Sequence, residues 1–282
     1  MIAEKIAWLR GYFHRAEGDV PGTQTALYRM SDLVNNGYIS APMGRGFLLD
    51  AGLQDMVWQV IWADDHATTD EELEALAADC EGYVIFMHGW TGNHAIWESI
   101  PGMVTVSNQK LIAIAVDHNG FGESRFVDQT PALEKCNPPA AMSTIESLVE
   151  VLRIRRQSGE RHNRVINFVG HSMGGAALFY LDPMHWRVGE ETRLALAPAL
   201  LLDDDSKRAF FTALGLGIGI VNRLHVFEVI ERTIKPGMIE AVCAGGSSYL
   251  KDLHRYQYNS TPRGIISSTF MAMGLLNNRE IP

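Results

Sequence analysis

Four short apolar runs punctuate the middle of the chain: Tyr83–Met87 (YVIFM), Leu111–Val116 (LIAIAV), Arg164–Val169 (RVINFV) and a fourth within Arg193–Leu202. Each has strand length, and near-continuous apolar character is what a strand buried on both faces requires. The stretches between them are long enough for helices, Met142–Gln157 most clearly. Strands alternating with helices predict an α/β fold, with a mostly parallel sheet carrying helices on both faces.

Upstream of these runs the pattern is looser. Ile2, Ile6, Leu9 and Phe13 recur at helical spacing and predict a short amphipathic helix. The segment from Gly18 to Gly46 carries no clear period. Gly46–Ala51 and Met56–Ala63 read as two strands joined by a turn at Gly52–Asp55. Thr68–Cys80 reads as a helix capped by Thr69, with acidic residues in its first turn. After Leu202 the alternation stops, and Asp203–Pro282 reads as helical, with Phe227–Ile234 and Thr261–Leu276 the clearest segments. The expected organisation is an N-terminal helical extension over residues 1–45, an α/β core over 46–202 and a helical cap over 203–282.

Composition narrows the class without choosing a function. The 282 residues are 46 % hydrophobic and 20 % charged, ordinary for a globular protein with a substantial core. A formal net charge of −9 argues against nucleic acid or an anionic membrane surface as the partner. Glu4, Lys5 and Arg10 interrupt the apolar run that a secretory signal needs. Cys80, Cys136 and Cys243 are odd in number and widely spaced, which fits reduced thiols in a cytoplasmic protein. Ala209–Val221 is shorter than the ~20 apolar residues of a spanning helix; it reads as buried cap structure, with contact to lipid or the lining of an acyl pocket as the alternatives, and Gly215, Gly217 and Gly219 weaken a long helix there. No His/Cys/Asp cluster has metal-ligand spacing, and no cofactor is implied.

The chemistry concentrates after the apolar strands. Directly behind RVINFV stands Gly170-His171-Ser172-Met173-Gly174-Gly175, followed by the helix-like AALFYL. This is G-x-S-x-G in the context of strand, sharp turn and helix. Such a turn strains the backbone at the serine, and glycines at 170 and 174 remove side chains that would clash. The hydroxyl then projects above the sheet as a nucleophile. Behind YVIFM comes His88-Gly89-Trp90-Thr91-Gly92, a loop able to offer a backbone N–H to developing negative charge. Trp90 is the expected donor there and Met173 the second, with His88, Gly89 and His171 supporting the two loops. Behind LIAIAV lies Asp117-His118-Asn119-Gly120-Phe121-Gly122-Glu123-Ser124, which by itself indicates only a turn. Arg125 breaks a dinucleotide-binding G-x-G-x-x-G. Trp90, Trp97, Phe121 and Met173 flank these motifs and are candidates to wall an apolar pocket.

The order H-G-W-T-G, D-H-N-G-F-G-E-S, G-H-S-M-G-G resembles the α/β-hydrolase superfamily, in its capped branch of esterases, lipases, carbon–carbon hydrolases and cofactor-free haloperoxidases. The resemblance covers about Gly46 to Leu202 in detail. It implies a nucleophile elbow at Ser172, a carboxylesterase- or lipase-like serine hydrolase, an oxyanion hole and a small-molecule ester or acyl substrate. An acyltransferase, a carbon–carbon hydrolase and a non-catalytic ligand-binding relative are the alternatives on the same scaffold.

In this family the acid and the histidine follow later strands, which the sequence does not reach before Pro282. The expectation is therefore a truncated chain whose acid and base lie beyond Pro282, weakly active or inactive. It is also expected to self-associate through an unpaired sheet edge around Leu194–Leu201. The in-chain alternatives are Asp203, Asp204 or Asp205 as acid and His225 or His254 as base.

Overall fold

The structure, a computed structural model, describes residues 20–63, 80–152, 165–182, 186, 191–200, 205–223, 237, 239–240 and 248–276. The chain runs β1 (Thr23–Arg29), α1 (Met30–Asn35), α2 (Ala41–Ala51), β2 (Val57–Ala63), β3 (Gly82–Met87), α3 (Ile100–Ser107), β4 (Leu111–Asp117) and α4 (Pro138–Val151). It continues through β5 (Val165–His171), α5 (Met173–Ala177), β6 (Glu191–Leu196), α6 (Asp205–Arg223), α7 (Ser248–Ser260) and α8 (Arg263–Leu275).

The described strands form one six-stranded sheet in the order β1-β2-β4-β3-β5-β6. β3 pairs in parallel with β4 and β5, and β5 with β6, whereas β2 runs antiparallel to β1 and β4. The predicted mostly parallel sheet is thus present. β2 and β3 are buried at every position because both faces are covered. Side-chain alternation divides them between two cores. Trp58, Trp62, Ile85, Met87 and Ile114 face the larger one. Ile61, Val84, Phe86 and Ala113 face the smaller.

Two expectations are corrected. Gly46–Ala51 is the second half of helix α2, not a strand. Its buried residues, Gly44, Phe47 and Ala51, recur at helical spacing, while Leu49 is 79 % exposed. A proline stands in the first turn, and Gly52 closes the helix in the left-handed conformation at φ 71°. The extension over 1–45 is not wholly helical, since Thr23–Arg29 forms β1 at the sheet edge. None of its residues is buried, and Thr25 and Leu27 on one face are exposed, so it lacks the buried alternate positions that mark a strand with a core face. The helices expected over Ile2–Phe13 and Phe227–Ile234, and all but the last residue of the one expected over Thr68–Cys80, lie outside the described residues.

At the opposite edge, β6 pairs with β5 alone among the described residues, and Leu194 is 54 % exposed. Past it, α6 runs as one helix of 19 residues despite its glycines. Gly215 has a packing reason, because a Cβ there would stand 2.7 Å from the backbone nitrogen of Met271 on α8. The outer side of α6 leaves Phe210, Leu216 and Ile220 exposed, so this segment is not wholly buried. Among the described residues no helix is long and apolar enough to cross a membrane.

Candidate active site

β5 ends at His171 and α5 begins at Met173, so Ser172 must turn the chain in a single residue. It does so at φ 53° and ψ −113°, a region that non-glycine residues occupy only under constraint. The constraint is visible in the hydrogen bonds. Ser172 N–H donates to the Leu196 carbonyl, and the Ser172 carbonyl accepts from the N–H groups of Ala176 and Ala199, all at 2.9 Å. Both elbow glycines are sterically required. A Cβ on Gly170 would lie 2.4 Å from the Gly174 carbonyl oxygen, and one on Gly174 would lie 2.3 Å from that of Met87.

The loop after β3 reaches the same point. Gly174 N–H donates to the His88 carbonyl at 3.1 Å, joining the elbow to the H-G-W-T-G segment. Gly89 is where that segment passes the serine, since a Cβ there would stand 3.1 Å from the Ser172 Cβ and the His171 Nδ1. The loop is tightened by Gly92 N–H on the Gly89 carbonyl, with Thr91 at φ 57°. Among the described residues the N–H groups of Trp90 and Met173 donate to no protein acceptor.

A buried polar network that sequence spacing does not reveal supports this loop. His118 N–H donates to His88 Nε2 at 3.2 Å, so His88 carries its proton on Nδ1, which reaches the Gly89 carbonyl at 2.7 Å. His118 in turn donates from Nε2 to the His88 carbonyl at 2.7 Å. The two rings stack at 4.0 Å, with Phe121 edge-on to both. Burial drives the His88 pKa well below the ordinary histidine range and the neighbouring His118 adds to the fall. Burial likewise lowers His118 to about 4, so both rings are neutral.

Asp117, fully buried at the end of β4, accepts from the main-chain N–H of His94 at 2.7 Å and from its Nδ1 at 2.9 Å. Its other oxygen accepts from Glu123 N–H at 2.7 Å. Burial alone would raise this carboxyl, but the charge and hydrogen bond of His94 outweigh it and hold it at about 2. Gly122, at φ 57°, passes so close that a Cβ would meet the carboxylate at 2.1 Å. The D-H-N-G-F-G-E-S motif is therefore more than a turn: it supplies the anchor for the loop that follows Trp90.

Helices α7 and α8 pack on the loop after β3. Phe270 of α8 and Tyr258 of α7 pack on the Trp90 ring at 4.6 and 6.1 Å. Gln257 donates from Nε2 to Asn93 Oδ1 at 2.6 Å. Burial lowers the pKa of His254, and repulsion from His171 lowers it further. Of the pocket candidates, Trp97 is not brought in, since it packs on Phe86 in the smaller core. Asp205 is exposed and pairs with Arg208, while Asp203, Asp204 and His225 lie outside the described residues. A cleft of about 710 Å³ opens between α2 and α4, and neither Ser172 nor Trp90 lines it. Among the described residues no His/Cys/Asp/Glu group is arranged to hold a metal ion.

Comparison with known proteins places this geometry. No curated protein matches the chain. Among solved structures, a bromoperoxidase from Bacillus anthracis is similar at 15 % identity and a TM-score of 0.52, covering 80 % of this chain and 72 % of that one. A hydrolase from Pseudomonas aeruginosa gives 13 % identity and a TM-score of 0.49, covering 80 % of this chain and 70 % of that one. An esterase from Exiguobacterium antarcticum gives 17 % and 0.48, covering 69 % of this chain and 67 % of that one. At these identities the first of them speaks for the fold alone. The model of the alpha/beta hydrolase family matches residues 84–251, which span β3, the elbow and the start of α7. The chain belongs to the alpha/beta hydrolase family.

Proposed function

We propose that the protein is a serine hydrolase acting on an ester, thioester or related activated carbonyl, with Ser172 as nucleophile. The observation that carries this reading is the strained backbone of Ser172, at φ 53°, held where a Cβ on Gly89 of the facing loop would stand 3.1 Å from its own Cβ. A strained residue persists only where its surroundings over-determine it, and such residues cluster at functional sites.

The reaction follows from that geometry. The Ser172 oxygen bonds to the carbonyl carbon, and the carbonyl π electrons move to its oxygen. The N–H groups of Trp90 and Met173, with no acceptor among the described residues, hold the resulting oxyanion. The base takes the Ser172 proton and gives it to the leaving oxygen or sulfur, so collapse expels the alcohol or thiol and leaves an acyl-serine. Water, losing its proton to the same base, then adds to the acyl carbon, and collapse releases the carboxylic acid as the Ser172 oxygen regains the proton. Both additions require a base, because a serine hydroxyl is protonated near neutral pH. His254 is the histidine to test first, being the in-chain candidate base that lies among the described residues.

The test is labelling of the purified protein by a fluorophosphonate, read by intact mass. Rapid labelling that disappears in Ser172→Ala is expected for an activated serine, and its loss in His254→Ala would assign the base. A folded protein that does not label sinks the reading.

A further inference from the structure

Asn93 stands where the loop after β3 meets α7. Its Oδ1 accepts from Ala95 N–H at 3.1 Å, capping the turn His94–Trp97, and from Nε2 of Gln257 at 2.6 Å. Because that oxygen is already an acceptor, Gln257 can approach it only through its amide nitrogen. Gln257 is 2 % exposed, and its Oε1 has no hydrogen bond among the described residues. An apolar side chain of the same volume would bury no unpaired acceptor, so packing does not explain the amide. The hydrogen bond to Asn93 is what offsets its burial. The main chain behind it is fixed as well, since the Gln257 carbonyl accepts from Ser260 Oγ and Thr261 Oγ1, both at 2.9 Å.

Trp90, whose main-chain N–H is the donor proposed for the oxyanion, lies between Gly89 at the elbow and this hydrogen bond. Its ring meets Tyr258 at 6.1 Å and Phe270 at 4.6 Å, with Phe211 on Phe270 at 5.5 Å, an aromatic wall. Ring contacts of this kind tolerate sliding, whereas a hydrogen bond fixes both distance and direction. Further along, His94 is held separately by Asp117. Losing Gln257 therefore leaves the turn capped and His94 anchored, and frees the segment between Gly89 and Asn93.

Resting on the serine-hydrolase reading, we infer that Gln257 is a positioning residue for the oxyanion donor: acting through Asn93, it holds the Trp90 loop in register with Ser172.

Two substitutions cut the same bond from opposite sides. Gln257→Met keeps the side-chain length and removes the donor. Asn93→Ser keeps an oxygen able to cap the turn but ends one bond short of α7. Saturation kinetics of a fluorophosphonate, whose phosphoryl oxygen takes the place of the oxyanion, are read by intact mass on both single variants and the double. Each single substitution is expected to lower the maximal labelling rate at least about tenfold, with the half-saturating concentration unchanged within about twofold. The double variant is expected to be no slower than the slower single, as for two halves of one interaction. Should Gln257→Met fail to fold, Asn93→Ser alone must show the loss of rate. A smaller labelled fraction at the wild-type rate, losses that multiply in the double variant, or a change confined to the half-saturating concentration overturns the inference. Wild-type protein that does not label removes the hydrolase reading and this inference with it. Labelling that both substitutions leave unchanged removes this inference alone.

Discussion

His118 donates from Nε2 to the carbonyl oxygen of His88 at 2.7 Å while its ring lies 4.0 Å above that of His88, so each histidine holds the other in one tautomer. The arrangement works only while both rings are neutral. His118 titrates near 4 in the folded protein, against 6.5 for an ordinary histidine. Between these values the unfolded chain takes up a proton that the folded protein refuses. The share of stability from His118 is therefore complete above pH 6.5 and falls as pH drops towards 4, by about 3 kcal/mol, and the depressed His88 adds to the decline in the same direction. Urea unfolding at a series of pH values is expected to show that decline. His118→Phe keeps a ring on His88 without a titrating group, and should flatten the slope in this window; an unchanged slope would refute the assignment.

Asp117 is the second control point. Its carboxylate takes three hydrogen bonds, two from His94 and one from Glu123, in a fully buried position. Asp117→Asn removes the charge that faces His94 and turns an N–H towards a donor. A cost of about 3 kcal/mol in unfolding free energy is expected, as for one partner lost from a buried pair. The His94 turn lies just beyond the Trp90 loop, so fluorophosphonate labelling should slow in the same variant. Chemical denaturation beside labelling rate checks both, and wild-type stability in Asp117→Asn would remove the anchor from the account.

Gly89 separates the loop's chemistry from its stability. A Cβ there would stand 3.1 Å from the Ser172 Cβ and the His171 Nδ1, close enough to need a shift of a few tenths of an ångström. Gly89→Ala is expected to cost about 1 kcal/mol of stability, the low end for added methyl groups, because the overlap is only a few tenths of an ångström. Labelling of Ser172 should fall at least about tenfold, since small misplacements of reacting groups are expensive in rate. Unchanged labelling would show that this loop does not set the geometry of the serine.

The parts legible in the sequence are those with one strong cause. β3 and β4 are near-continuously apolar because both faces of the sheet are covered there, and the elbow is spelled out because Gly170 and Gly174 tolerate no side chain. Gly46–Ala51 is ambiguous because so short a run of mostly apolar character fits either period, and only Leu49, exposed in α2, distinguishes them. β1 is hidden because none of its residues is buried. The pairing of Asp117 with His94, 23 residues apart, exists only once β4 and the loop after β3 lie side by side.

The glycines of α6 test its packing on α8 directly. Gly215 and Gly217 lie close together in one helix, and intrinsic propensity alone predicts the same gain for alanine at both. Packing predicts opposite signs. A Cβ at 215 would stand 2.7 Å from Met271 N and 2.9 Å from the Ser267 carbonyl oxygen, both backbone atoms of α8 that cannot rotate away. At 217 nothing lies within 4 Å. Gly217→Ala should therefore stabilise by about 0.5–1 kcal/mol, and Gly215→Ala should destabilise by about 1–3 kcal/mol as the helices are forced apart. Denaturant midpoints of the two single variants decide it. Opposite shifts require α6 and α8 to touch at Gly215, and so hold Phe270 and its partner Phe211 over Trp90. Two equal gains would mean the helices are apart, and the aromatic wall beside the serine would lose its support.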